Sequence, residues 1–579
     1  MKREMGRVDS GTTTTDAMTL ERQRGMTIRA STVSFTWEGA KINLIDTPGH
    51  MEFIAEVERS LTVLDGVILV LSAREGVQSQ TRVIFEKLKE RKIPTILFVN
   101  KLDRVGADLA ALSKEMAVSL TPDGVWMQEA KGLGTRDLRI ADLPPDKGIL
   151  QEQILERSDA LLERYLNGET VPSRDYEAEL IRLTRQAKAY PIFMGAALHD
   201  IGVTALLPAV RRFLCGHGDA QAPLSACVYK VEWAEGRRKR IYLRVFEGAL
   251  NVRQQVAVAG QEQPLRVKAL YALRDGQILP AQRLEAGDIG LMTDEPALRC
   301  GDILGVPPSG SRAYPTAVPL LRASMAPELP EQRAALLSAL MELTQEDPFL
   351  ELRLNEKTDE ICLRFFGSLQ AEILQALLLE RYGLKTQVST LRTIYKQTPR
   401  KPVTASIRLG QAGNFHRAGI VLSLAPLPAG SGAVYETRVS YGDLEKSFQN
   451  GAREGIMQGL EEGLGEEATD VKATFLEADY DSVTGTPAAF RRLGPEVVRL
   501  ALETAGVRRL EPWQRFTLRA PLALQRQTLA LLHGSRALPE SVTADDEEVA
   551  VHGTAPLDSF QAVPAAFQVL TKGRGLLDV

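Results

Sequence analysis

Several absences bound what this chain can be. No apolar run approaches about 18 residues and no charged-then-apolar leader is present, which argues against a membrane span or an export signal and for a cytoplasmic protein. The four cysteines, Cys215, Cys227, Cys300 and Cys362, show no C-x-x-C spacing, so neither a zinc site nor a disulfide framework is indicated and they read as core fillers. Charge of one sign is also lacking. The 70 Lys and Arg nearly balance 74 Asp and Glu, for a formal net charge of -4, so no global basic field invites DNA and any RNA contact must be local. The most consequential absence is a motif: no stretch of the form G-x-x-x-x-G-K-[ST], the loop that cradles nucleotide phosphates, occurs anywhere in the 579 residues.

What is there makes that absence conspicuous. Arg24-Gly25-Met26-Thr27-Ile28, Asp46-Thr47-Pro48-Gly49-His50 and Asn100-Lys101-Leu102-Asp103 follow in order, and each of the last two trails a short apolar run that reads as a buried strand. These are three of the pieces of a GTP site. Asp46 is placed to hold a hydrated Mg²⁺, with the Thr27 hydroxyl as a second ligand. Gly49 lets a backbone N–H approach a terminal phosphate, and His50 is positioned to act on the attacking water. Asn100 and Asp103 suit a guanine edge, with Lys101 between them, and Gly195-Ala196-Ala197 offers backbone N–H groups to the guanine oxygen. Each cluster alone also fits a turn or a capped loop, because Asp, Pro, Gly and Asn are what turns use. Their joint order favours the nucleotide reading.

The chain changes grammar along its length. Residues 6–28 are threonine-rich and aperiodic and read as a mobile loop. From Ala40 to about Val210 the pattern is parallel α/β, with strands at 41–45, 67–71, 95–99 and 191–194, and 127–184 reads as a charged insertion. Short alternating strands between 225 and 292 suggest a small antiparallel β-barrel. Within it, Arg237-Arg238-Lys239-Arg240 reads as a basic turn, either a solvated face or a local RNA contact. Three α+β blocks follow, with helices expected at 330–343, 368–382, 444–464, 495–505, 520–532 and 559–570. The last block stops before a closing strand. His199, His217, His416, His533 and His552 show no ligand spacing and are taken as structural or surface residues.

These motifs carry a resemblance. Leu20 to Ile28, Asp46 to Ser60 (DTPGHMEFIAEVERS), Ser72 to Thr81 (SAREGVQSQT) and Pro426 to Gly432 (PLPAGSG) make the chain similar to the tetracycline-resistance ribosomal protection proteins, translational GTPases of the elongation factor G type. The resemblance implies a multidomain α/β and β chain in five parts. These are a GTPase domain over 1–218, a β-barrel over 219–312, an α+β domain over 313–398, a fourth domain over 399–511 and a fifth of ferredoxin-like split βαβ character over 512–579. It further implies GTP and Mg²⁺, and a monomer that avoids membranes and DNA. Its partner would be the ribosome, contacted at the large-subunit GTPase-activating region and at the small-subunit decoding centre, where tetracycline is displaced. The fourth-domain tip loops would be 411–415, 427–433 and 481–486, and Ser482-Val483-Thr484 stand where the family carries a proline flanked by small residues. The family also begins with a strand, a phosphate-binding loop and a helix that should precede Gly6, and ends with a strand and helix expected to be missing here. GTP is therefore expected to bind weakly. Elongation factor G-type translocation and a non-catalytic ribosome-binding remnant are the alternatives.

Overall fold

A computed structural model describes residues 21, 26–135, 137–216, 218–234, 238–261, 263–308, 318–355, 360–481, 484–544, 548–571 and 575–578. Most of the loop expected over 6–28 lies outside them. The chain forms two compact units, Met1–Pro319 with Ala323–Thr390, and Leu320–Arg322 with Leu391–Val579.

In the first unit the apolar runs become a parallel sheet, in the spatial order Val67–Ser72, Thr95–Asn100, Tyr190–Met194, Gly124–Trp126. Strands covered on both faces need apolar residues at every position, and the central strand shows both faces at work. Leu97 and Val99 pack with Phe85, Leu112 and Met116 from the helices Ser79–Glu90 and Leu109–Ser119. Ile96 and Phe98 pack on the other side with Ile154, Tyr176, Leu180 and Phe213. The segment 127–184 is thus no detached insertion: its helices Gly148–Leu155, Asp159–Leu166 and Ser173–Arg185 supply one wall of the core.

The strand expected at 41–45 as a buried member of the parallel sheet is corrected: Ala40–Asp46 has no fully buried residue and pairs antiparallel with Ser31–Trp37 in a separate hairpin, closed by Glu38 and Gly39, both at positive φ as a type I′ turn requires. Among the described residues no strand joins the second edge of Ala40–Asp46 or of Val67–Ser72, and Leu44 and Val70 on these strands are exposed.

The barrel-like region holds a six-stranded antiparallel sheet in the order Gln277–Ala281, Leu270–Arg274, Ile289–Thr293, Arg238–Glu247, Ser225–Ala234, Ile303–Gly305. The expected basic turn is corrected here. Arg237 lies outside the described residues, but Arg238 to Arg240 are already strand, and the alternation turns Lys239 inward. Its buried ammonium donates to the carbonyls of Pro296 (3.1 Å) and Leu298 (2.6 Å), and burial, aided by Arg299, lowers its pKa. Beyond it, the helices Arg333–Glu346 and Ser368–Tyr382 accompany a sheet ordered Arg353–Asn355, Glu360–Phe365, Leu321–Pro327, Thr386–Val388.

The second unit contains a sheet ordered Val403–Ile407, Ala418–Pro426, Val471–Tyr480, Ala433–Thr437. Helix Lys446–Glu462 connects its parallel pair and packs against helix Pro487–Ala505. That second helix begins well before the expected Pro495, because Thr486 caps it by accepting the Ala489 N–H and Pro487 fits the first turn. A second sheet runs Leu538–Ala544, Glu548–Pro556, Trp513–Pro521, Leu576–Asp578. The closing strand expected to be missing is therefore present, with Leu577 opposite Leu518.

Candidate GTP site

Asn100 ends one parallel strand and Gly195 directly follows its neighbour, so the two loops emerge side by side at the carboxyl edge of the sheet. One side-chain atom joins them. Asn100 Oδ1 accepts from the N–H of Lys101 (2.8 Å) and of Ala197 (2.9 Å), while the Leu102 N–H donates to the Gly195 carbonyl (3.2 Å). The expectation that Gly195, Ala196 and Ala197 present free amides needs correction. Their N–H groups bond Val99 O, Ile201 O and Asn100 Oδ1 respectively, so in this state they shape the loop. The glycine is required by close approach: a Cβ at Gly195 would lie 2.4 Å from the Ile201 carbonyl oxygen and 2.6 Å from Phe98.

Lys101 takes a left-handed backbone conformation (φ 62) and its ammonium lies 3.0 Å from Glu75. The Asp103 carboxylate is mostly buried, and His199 Nε2 stands 3.4 Å from it. From sequence alone His199 reads as a structural or surface residue. Its place two residues after Ala197, in the loop that Asn100 draws in, was the available signal.

The phosphate side is assembled differently. Antiparallel register sets Ser31 opposite Asp46, so the segment before Ser31, with Thr27, and the segment after Asp46, with Gly49 and His50, leave the same end of the hairpin. Asp46 and Thr27 are half-buried. Beside Gly49, the place of a Cβ has no atom within 4 Å. His50 Nδ1 accepts the Glu52 N–H (3.3 Å), and its carbonyl accepts the Phe53 N–H (2.9 Å) where the helix Ile54–Leu61 is approached. A neutral imidazole accepting at Nδ1 carries its proton on Nε2.

These residues fit the groups that the motifs suggest. Asp103 is a carboxylate acceptor at the mouth of the Asn100 loop, matched to the paired N–H groups of guanine. Among the described residues no group of three or more His, Cys, Asp or Glu is placed to hold a metal. Of the fourth-domain tip residues, Ser482 and Val483 lie outside the described residues. The Thr484 N–H donates to Asp481 Oδ1 (3.1 Å) in a turn that Asp481 closes.

Residues 1–215 match the elongation factor Tu GTP binding domain family, 316–390 elongation factor G domain III, and 391–506 elongation factor G domain IV. Among curated proteins, tetracycline resistance protein TetP of Clostridium perfringens is 37% identical over 99% of this chain and 89% of its own length. TetW of Butyrivibrio fibrisolvens, at 37%, and TetO of Campylobacter jejuni, at 35%, match with the same coverage. The chain belongs to the tetracycline-resistance ribosomal protection family of translational GTPases. Among solved structures, a crystal structure of a Thermus thermophilus protein shares the fold at a TM-score of 0.64 and 24% identity, over 99% of this chain and 91% of that one. No helix among the described residues is long and apolar enough to cross a membrane.

Proposed function

We propose that this GTPase acts in the cytoplasm as a monomer, binds the ribosome, and releases tetracycline from the small subunit in a cycle closed by GTP hydrolysis. The observation that carries the reading is the near end-to-end identity of 35–37% to proteins named for tetracycline resistance. The geometry supports the following roles. Asn100, Lys101 and Asp103 would take the guanine base, with Gly195, Ala196 and Ala197 forming the wall behind it. Thr27 and Asp46 would hold Mg²⁺, whose chemistry is to neutralise the charge of the phosphates. Gly49 would face the terminal phosphate. His50, protonated on Nε2, would orient the attacking water by donating to it.

In this reading residues 219–312 close as a barrel, 399–511 reach the decoding centre, and Ser482, Val483 and Thr484 lie at the tip. The large-subunit GTPase-activating region stimulates hydrolysis.

The test is release of labelled tetracycline from ribosomes by the full chain, with GTP and without. GTP-dependent release that is lost in His50→Ala, with ribosome binding kept, supports the proposal. Ribosome-stimulated hydrolysis without drug release would instead point to translocation, and absence of both to a non-catalytic ribosome binder.

A further inference from the structure

The Arg333–Glu346 helix ends in a carboxylate with almost no solvent exposure, and donors from three separate segments converge on it. Arg29 Nη1 donates to Oε2, Arg381 Nη1 lies 2.9 and 3.1 Å from the two oxygens, and the Trp233 N–H lies 2.8 Å from Oε1. Arg29 follows Thr27 by two residues. Its own N–H and that of Ile28 are held by Glu21 Oε1 at 3.1 and 3.0 Å, and Lys230 donates to the carbonyl of Ala30. The same turn also reaches the other side of the site. Arg59, on the helix that follows His50, donates to the Glu346 carbonyl and to Asp347 Oδ1, both at 3.3 Å.

We infer that Glu346 is a positioning residue for GTP hydrolysis, holding the Thr27 segment through Arg29 and linking it to the helix behind His50. The inference rests on the GTPase reading, since Thr27 matters only if it serves Mg²⁺. A buried ionic hub that merely stabilised the fold would affect every bound state alike. A positioning hub affects the state in which Thr27 is used, which is the triphosphate state with Mg²⁺.

The experiment compares the full chain with Glu346→Gln and, should that variant fold poorly, Arg29→Gln, which leaves Arg381 and Trp233 on the carboxylate. Affinity for a non-hydrolysable GTP analogue with Mg²⁺ should fall about ten-fold while GDP affinity stays within about two-fold. Hydrogen exchange at the Ile28 and Arg29 amides should quicken in both variants. An equal loss of both nucleotides, or unchanged exchange at these amides, would overturn the inference. If the wild-type chain binds neither nucleotide, the GTPase reading fails. Amide exchange then still decides the link: quickening in both variants supports it and no change overturns it.

Discussion

Around Asn100 the protein closes the loop with its own backbone, two amides on one side-chain oxygen at the end of a paired, buried strand. Around Thr27 and Asp46 the supports are remote. The segment after Thr27 is held by Glu346, 317 residues away in sequence from Arg29, and the helix after His50 by Asp347. In the proposed site the base corner is therefore fixed by hydrogen bonds between the ends of two strands paired in the sheet, and it would stay formed whenever the sheet is folded. The proposed phosphate corner is held by ionic contacts between distant segments, and it would change state without unfolding the sheet. A GTPase needs this division, because GTP and GDP share the base and differ at the terminal phosphate.

The largest effect should come from breaking the local corner. Asn100→Ala leaves two amides without their acceptor, the part-buried Ala197 N–H at about 1–3 kcal/mol and the exposed Lys101 N–H at less because water replaces its partner, and removes the side-chain link between the two loops. Fluorescence titration should show GTP analogue and GDP affinities falling together by about 100-fold or more. A variant that discriminated between them would mean that the base corner, too, senses the phosphate.

The next effect concerns the remote supports, where adjacent acids shift in opposite directions. At Glu346 burial raises the carboxyl pKa, but Arg29, Arg381 and the Trp233 N–H outweigh it and the net shift is downward. At Asp347 burial prevails over Arg59, with Glu56 adding to it, and the net shift is upward. The linkage signs follow. Glu346 contributes stability that is complete above its unfolded value near 4.5 and is lost as pH falls through the lower folded value. Asp347 opposes folding when charged, so its contribution improves as pH falls through its raised folded value. Glu346→Gln should cost about 2–3 kcal/mol at pH 7, less than a fully enclosed pair because both arginines keep some solvent contact. Thermal unfolding of wild type and variant should then converge once pH falls below the lowered folded value, where the wild-type carboxyl is protonated. A gap independent of pH would assign the loss to packing and leave the remote corner without its ionic character.

The sequence disclosed what local pattern controls. The strands at 67–72 and 95–100 are unbroken apolar runs, and helix Ser368–Tyr382 has the bounds expected from its periodicity and from Gly383 at its C-cap. Asp46 and Asn100 end their strands, and His50 and Asp103 lie in the loops that follow them. What stayed hidden depends on partners far along the chain. Pro495 reads as a helix start, yet it lies inside Pro487–Ala505 because the Arg491 carbonyl it cannot bond faces Gly455 of the neighbouring helix, where a Cβ would stand 2.3 Å away. Leu576–Asp578 is too short to show a period and is strand only because Leu518 pairs with it. Lys239 reads by composition as part of a turn, but the strand starts two residues earlier, at Arg238, and strand alternation turns Lys239 inward. Glu346 has no local signature at all, since nothing near it in sequence announces Arg29.

The smallest effect sharpens the comparison from the base side. Lys101 and Glu75 form an ion pair at the Asn100 loop, at 3.0 Å with both side chains nearly half exposed. Ser72 first, and then Lys101, lower the Glu75 pKa, so the pair is intact at neutral pH and its stability is lost only as pH falls through that lowered value. Exposed pairs contribute about 0.2–1 kcal/mol and are screened by salt. Glu75→Gln should therefore weaken guanine nucleotide by no more than about five-fold, less at high ionic strength, with equal effect on GDP and the GTP analogue. A loss comparable to that of Asn100→Ala would mean that charge, rather than the Asn100 hydrogen bonds, holds Lys101 in its left-handed conformation. Both corners of the site would then rest on ion pairs, and the distinction between a fixed base side and a switchable phosphate side would have to be drawn elsewhere.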